Sequence, residues 1–165
     1  MKFLTGAEEK EARKWMEEAR RTATEALCFR AKCGAVIIKD GDIIGRGYNA
    51  PPLNKEEERR CLDDCSSCKV NHDKTCCIHA EWRAIIEALK NNSKKLKKSK
   101  LYFTRVDEEE NIKKSGKPYC TVCSRLALDV GVAEFVLWHE EGICAYPTSE
   151  YNELSYEYNK VEPVL

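Results

Sequence analysis

Cys33-Gly34-Ala35-Val36-Ile37-Ile38-Lys39-Asp40-Gly41 is the stretch on which the fold turns. Ala35 to Ile38 is a short, continuous apolar run rich in β-branched residues, and it predicts a well-buried strand. Asp40-Gly41 is a hairpin turn pair, because both central residues of such a turn need positive φ. Asp42 to Tyr48 returns as a second strand, and Pro51-Pro52 ends it.

Upstream, Ala12, Trp15, Met16, Ala19, Ala23 and Ala26 recur every three or four residues. That spacing is the apolar stripe of a long first helix, and Thr5 with Glu8 predicts a capping box at its start. Downstream, residues 53–77 are polar and cysteine-rich, an irregular insertion with little periodicity. A helix is expected from His79 to about Lys90, with a basic loop from Lys90 to Lys100. Leu101 to Thr104 reads as a third strand, and Asp107 to Lys117 as a charged surface loop. A helix follows from about Thr121 to Val130, stopped by Gly131. Ala133 to Trp138 reads as a fourth strand, and a short helical tail begins at about 149. The expected architecture is a single α/β domain over 1–165, three-layered α/β/α with a mixed sheet. Its later strand–helix–strand part needs a parallel crossover.

Apolar residues make up 42% of the 165 and charged residues 34%, a globular composition. Twenty-eight basic residues balance 28 acidic ones. A zero net charge argues against a general binder of nucleic acid or membrane surfaces. No apolar run approaches the length of a membrane span. The N-terminus lacks the apolar core of a signal peptide, so the ten cysteines are read as thiols in reducing cytoplasm, several of them metal ligands.

Two motifs carry the chemistry, Cys76-Cys77-Ile78-His79-Ala80-Glu81 and Pro118-Tyr119-Cys120-Thr121-Val122-Cys123, each at an expected helix N-terminus. Cysteines three apart share a helix face and can grip one metal. His79 and Glu81, two apart, converge on one point only if that point lies at the helix end. One neutral imidazole and two thiolates make a zinc site of zero net charge, and two helix N-termini favour the thiolates. Three protein ligands leave a fourth position open, the pattern of catalytic and not structural zinc. The competing reading is a closed structural zinc knot with an incidental Glu81.

His-x-Glu followed by Cys-x-x-Cys is the zinc deaminase signature. The stretch 28–41 together with Gly47-Tyr48-Asn49-Ala50-Pro51 resembles the opening of deoxycytidylate deaminases, and the resemblance to the zinc-dependent cytidine and deoxycytidylate deaminase family covers roughly residues 5–145. It implies a cytidine deaminase-like fold with a sheet of about five strands. It implies His79, Cys120 and Cys123 as zinc ligands and Glu81 as the residue that moves protons. It implies hydrolysis of a cytosine-type nucleotide, dCMP or CMP, to dUMP or UMP and ammonia, and a homo-oligomer. The chain departs from the pattern in three places. Tyr119 stands between Pro118 and Cys120, Arg83 replaces the usual Asn after the catalytic Glu, and the segment 106–117 is longer than usual.

Candidate substrate contacts are Asn49, which in this family bonds sugar or base, Ala80, and the arginines Arg30 and Arg83 as phosphate partners. Cys61, Cys65, Cys68 and Cys76 are candidates for a second, structural zinc closing the insertion, with Cys77, Cys28 and His72 as substitutes; unligated thiols are the alternative. Other targets stay open: tRNA adenosine, guanine, a riboflavin-precursor pyrimidine, or no catalysis at all in a zinc-stabilised interaction module.

Overall fold

The computed structural model describes residues 1–60 and 76–158. Cys61, Cys65, Cys68 and His72 therefore lie outside the described residues. The chain orders as β1 (Lys2–Phe3), α1 (Gly6–Thr24), β2 (Lys32–Lys39), β3 (Asp42–Tyr48), α2 (Ala80–Asn92), β4 (Lys100–Val106), β5 (Ile112–Lys113), α3 (Thr121–Asp129), β6 (Glu134–His139), β7 (Gly142–Pro147) and α4 (Thr148–Glu157).

The strands form one mixed sheet in the order β1-β7-β6-β4-β2-β3, with β5 added to the end of β4. Five strands of six to eight residues carry the sheet, and β1 and β5 are two-residue additions. β4 and β6 run parallel, joined through α3, and the other pairs are antiparallel. The hairpin turn forms as expected, with Asp40 at φ 52° and Gly41 at φ 81°.

Alternation along each strand divides the core in two. Val36, Ile38, Tyr102, Val136, Ile143 and Ala145 face α1 and meet its Ala12, Trp15, Met16 and Ala19. Ala35, Ile37, Leu101, Phe135, Leu137, Cys144 and Tyr146 face the other way, onto a layer that includes Ala80, Ala84, Ile85 and Ala88 of α2, Ala127 of α3 and Tyr151 of α4. Helices thus cover both faces, the three-layer arrangement expected.

The helix–strand spacing beneath α2 is very close, as it is where Gly34 of β2 meets α1. A Cβ added to Gly47 would stand 2.2 Å from the Ala80 carbonyl oxygen, and one on Gly45 2.2 Å from that of Ala84. With alanines above and glycines below, α2 lies directly on β3. This contact sets the height of the α2 N-terminus over the sheet.

Three local expectations differ from what forms. Thr5 occupies the N-cap position of α1 but makes no side-chain cap bond. Glu8 instead takes two bonds from Lys2 Nζ, at 2.6 and 2.9 Å, because a full cation outcompetes a backbone amide for the carboxylate. β7 was not expected from the residues, and it forms the strand linking β6 to the edge. The expected loop 107–117 contributes β5.

Candidate active site

Two helix N-termini meet at one point. His79 sits just before α2 with extended backbone, φ −67° and ψ 150°, while Glu81 lies in the first helical turn. The change of backbone at the cap lets side chains two apart turn to the same place. Cys120 is the N-cap of α3, and its sulfur accepts the Cys123 backbone N–H at 3.4 Å. Cys123 then follows one turn on.

The three donor atoms close into a small triangle. His79 Nδ1 lies 3.1 Å from Cys123 Sγ and 3.4 Å from Cys120 Sγ, and the two sulfurs are 3.1 Å apart. Ligands on a tetrahedral zinc at its usual Zn–N and Zn–S lengths stand about 3.5–3.8 Å from one another. The edges of the triangle are about 0.1–0.7 Å inside that spacing, a difference small side-chain movements would take up, and one nitrogen with two sulfurs is a borderline-soft donor set, so the residues fit zinc. Among the described residues this is the one cluster of three such groups able to hold a metal.

The protonation of the triangle fits the same purpose. Cys120 is held well below the usual thiol range, first by the hydrogen bond from Cys123 and then by His79. His79 is raised, chiefly by its bond to the Cys120 sulfur. Cys123, buried in an apolar surround, is raised. These shifts arise from one cluster of mutually interacting donor groups, an arrangement that a shared divalent ion would bind with release of protons.

Glu81 is 5% exposed and close enough to Cys123 for each to shift the other's pKa. Burial raises its pKa, with the negative Cys120 adding to the effect and His79 opposing it. A carboxyl whose pKa is raised in this way is more readily protonated than an exposed one.

The remaining sequence candidates fall around this centre differently. Asn49 is buried, its Oδ1 accepting from Cys33 N–H at 2.8 Å and its Nδ2 donating to Ala31 O at 2.7 Å. It ties the segment after α1 to the end of β3. Ala50 pairs with Ile78 in an isolated bridge, which brings Asn49 next to the strand entering His79. Ala80 is fully buried against β3. Arg30 is exposed, in the segment after α1. Arg83 turns onto the chain itself, donating to Asn54 Oδ1 and to Pro51 O, both at 2.7 Å.

Cys76 and Cys77 are half-buried with sulfurs 3.8 Å apart, and Cys77 hydrogen-bonds to Cys28 at the end of the α1 segment. Cys28 is lowered to about 5, first by that bond, then by the backbone N–H groups of Ala31 and Arg30. Tyr151 is buried, its ring 4.2 Å from that of Phe135 in a stacked pair. Its hydroxyl accepts from the Tyr119 N–H at 3.5 Å, next to Cys120.

One residue escaped the sequence reading. Arg59, in the polar segment, has a side chain 7% exposed. Its guanidinium pairs with Glu56, donates to Leu27 O at 2.8 Å and lies 3.7 Å from the Phe29 ring centroid. Nothing in the local pattern marks an arginine whose partners come from thirty residues away.

The family model for the cytidine and deoxycytidylate deaminase zinc-binding region matches residues 9–139, which contain every residue of this centre. The chain belongs to that family. Among curated relatives, it is 33% identical over 79 residues to the deoxycytidylate deaminase of Schizosaccharomyces pombe, covering 45% of this chain and 24% of the relative. It is 26% identical over 127 residues to that of Saccharomyces cerevisiae, covering 74% and 35%. The matches thus span about a quarter to a third of these relatives' length. Among solved structures, the dCMP deaminase of cyanophage S-TIM5 aligns with a TM-score of 0.53 at 22% identity over 76% of this chain and 80% of its own. The cytidine deaminase of Burkholderia pseudomallei aligns with a TM-score of 0.55 at 16% identity, over 84% and 94%. These structures share the fold of the deaminase-family chain. The described residues contain no helix long and apolar enough to cross a membrane.

Proposed function

We propose that this deaminase-family chain catalyses zinc-dependent hydrolytic deamination of a cytosine-type nucleotide, dCMP or CMP, releasing ammonia. The observation that carries the reading is the buried Glu81 carboxyl set against the His79–Cys120–Cys123 triangle. A structural knot has no use for a carboxyl kept dry at its edge. The named activity of the relatives, deoxycytidylate deaminase, supports the choice of substrate.

His79 Nδ1, Cys120 Sγ and Cys123 Sγ would hold the zinc, which supplies a water acidic enough to attack at neutral pH. Glu81 would take one proton from the attacking water and give it to ring N3, then take the second from the new C4 hydroxyl and give it to the departing amino group, so one carboxyl serves in turn as base and acid. The helix N-termini of α2 and α3 keep the thiolates ionised.

A second, structural zinc belongs to the same reading. Cys76, with Cys77 and Cys28 beside it, would close the polar segment together with Cys61, Cys65 and Cys68. Metal analysis of purified protein would then return two zinc ions per chain, and one ion would remove the second site. The chain is proposed to act as a homo-oligomer on free nucleotides in the cytoplasm.

The test is ammonia release from zinc-loaded protein given dCMP, CMP, deoxycytidine, cytidine, cytosine, guanine and adenosine. Release from dCMP or CMP that vanishes in Glu81→Ala supports the reading. Release from guanine or adenosine alone moves the activity to another base, and silence across the panel removes it.

A further inference from the structure

The segment after β3 holds an unusual backbone. Leu53 and Asn54 both adopt left-handed conformations, at φ 56° and 59°. Asparagine tolerates this region, but leucine does so at a steric cost. The Leu53 side chain is 80% exposed, so its burial does not offset that cost. Something else must keep the turn in place.

That something is Arg83, one turn into α2 and two residues past Glu81. Its Nη1 donates to Asn54 Oδ1 at 2.7 Å, and its Nη2 to Pro51 O at 2.7 Å and Ala50 O at 3.4 Å. Its guanidinium lies over the Tyr48 ring at 5.3 Å, and Asn54 Nδ2 donates to the Tyr48 hydroxyl at 2.7 Å. Arg83 Nε is buried without a hydrogen-bond partner, so the guanidinium reaches the turn through Nη1 and Nη2. The same turn begins at Ala50, whose N–H and C=O pair with Ile78 at 3.4 and 2.9 Å, one residue before His79. One side chain therefore connects the catalytic helix, the strained turn and the strand leading into the metal ligand.

We propose that Arg83 is a positioning residue and not a phosphate ligand: it locks the 50–54 turn against α2, and so fixes the wall beside the reacting centre. A planar fork is required, because three acceptors in different directions must be met at once. The inference rests on the deaminase reading for its kinetic readout, while amide exchange tests it without any turnover.

Arg83→Met and Arg83→Lys would each raise KM about tenfold while kcat holds within about twofold, since a displaced wall misplaces substrate without touching the proton carrier. The rise would be equal for dCMP and deoxycytidine. Adding Leu53→Gly to Arg83→Met would restore most of the loss, because glycine adopts the left-handed turn without a clamp. In zinc-loaded protein, exchange of the Asn54 and Lys55 amides, which bond to Pro51 O and Pro52 O, would quicken about tenfold in Arg83→Met and slow again in the double variant. A KM rise confined to dCMP, with Arg83→Lys near normal, would make Arg83 a phosphate ligand and overturn the proposal. So would unchanged exchange at those two amides. If the parent protein turns over no substrate, the deaminase reading fails and the exchange experiment decides the role of Arg83 alone.

Discussion

At the scale of single residues, chemistry restricts the choice of side chain most where the chain must bind a metal and move a proton. The clustering of His79, Cys120 and Cys123, with Glu81 beside them, was legible in the sequence because few residue types suit the proposed work, and these sit within three positions of each other in two short motifs. Replacing Glu81 by Gln keeps the volume and one hydrogen-bonding oxygen but removes the proton acceptor. Turnover should fall by about a thousandfold while zinc content is unchanged, read by ammonia release and metal analysis on the same sample. Asn49 and Arg83 show the opposite case. Asn49 bonds to backbone groups of Ala31 and Cys33, and Arg83 to the Asn54 side chain and the Pro51 carbonyl, partners far along the chain that no local pattern contains. Cys33 offers a pH test away from the metal. Burial first, with smaller effects from nearby charges, pushes its thiol up to about 12. The unfolded chain ionises this thiol near its reference value of 9.0 while the folded one does not, so stability falls as pH rises from about 9 towards 12. The loss should reach about 1 kcal/mol by pH 10, and Cys33→Ala should flatten the slope of denaturant-derived stability between pH 8 and 10 relative to the parent.

At the scale of elements, periodicity predicted α1, the β2–β3 hairpin, α2, α3 and β6 because each buries a complete face. β7 was missed although Ile143 to Tyr146 is an apolar run bounded by Gly142 and Pro147; four residues cannot display a period convincingly. The capping box failed because Lys2, brought near by β1, competes for Glu8. Neither propensity nor alternation announces how closely two elements approach, yet this sets the site. β3 meets α2 through glycine, and a methyl at Gly47 would run into the Ala80 carbonyl at 2.2 Å and the Ala84 nitrogen at 2.4 Å, both backbone atoms that cannot swing aside. Gly47→Ala should therefore lift the first turn of α2 and cost about 3 kcal/mol. Because His79 and Glu81 ride on that turn, zinc should also be lost more readily to a chelator. Gly116→Ala, with open space around its Cβ, should change stability by less than about 0.5 kcal/mol. Urea titrations of the two variants beside the parent make the comparison.

At the scale of the whole molecule, the metal triangle joins parts of the chain that the sheet topology only brings near. His79 enters from the β3–α2 side, and Cys120 and Cys123 from the turn before α3, which the crossover places across the β4–β6 junction. α4 backs the arrangement, with Ser124 Oγ donating to Asn152 Oδ1 at 2.8 Å and Tyr151 lying beneath the Tyr119 amide. On the proposed reading, zinc would join His79, Cys120 and Cys123 by three bonds spanning residues 79 to 123, and so would link metal binding to folding. Free zinc a thousandfold above its dissociation constant should add about 4 kcal/mol, which raises the melting temperature of a chain this size by about 10 °C. His79→Ala should lose most of that shift, whereas Glu81→Gln should keep it while losing turnover. Calorimetry of the three proteins with and without a chelator separates the two roles. An equal shift in all three would mean that the stabilising metal sits elsewhere, and a shift lost in Glu81→Gln would make that carboxyl a ligand and no longer the proton carrier.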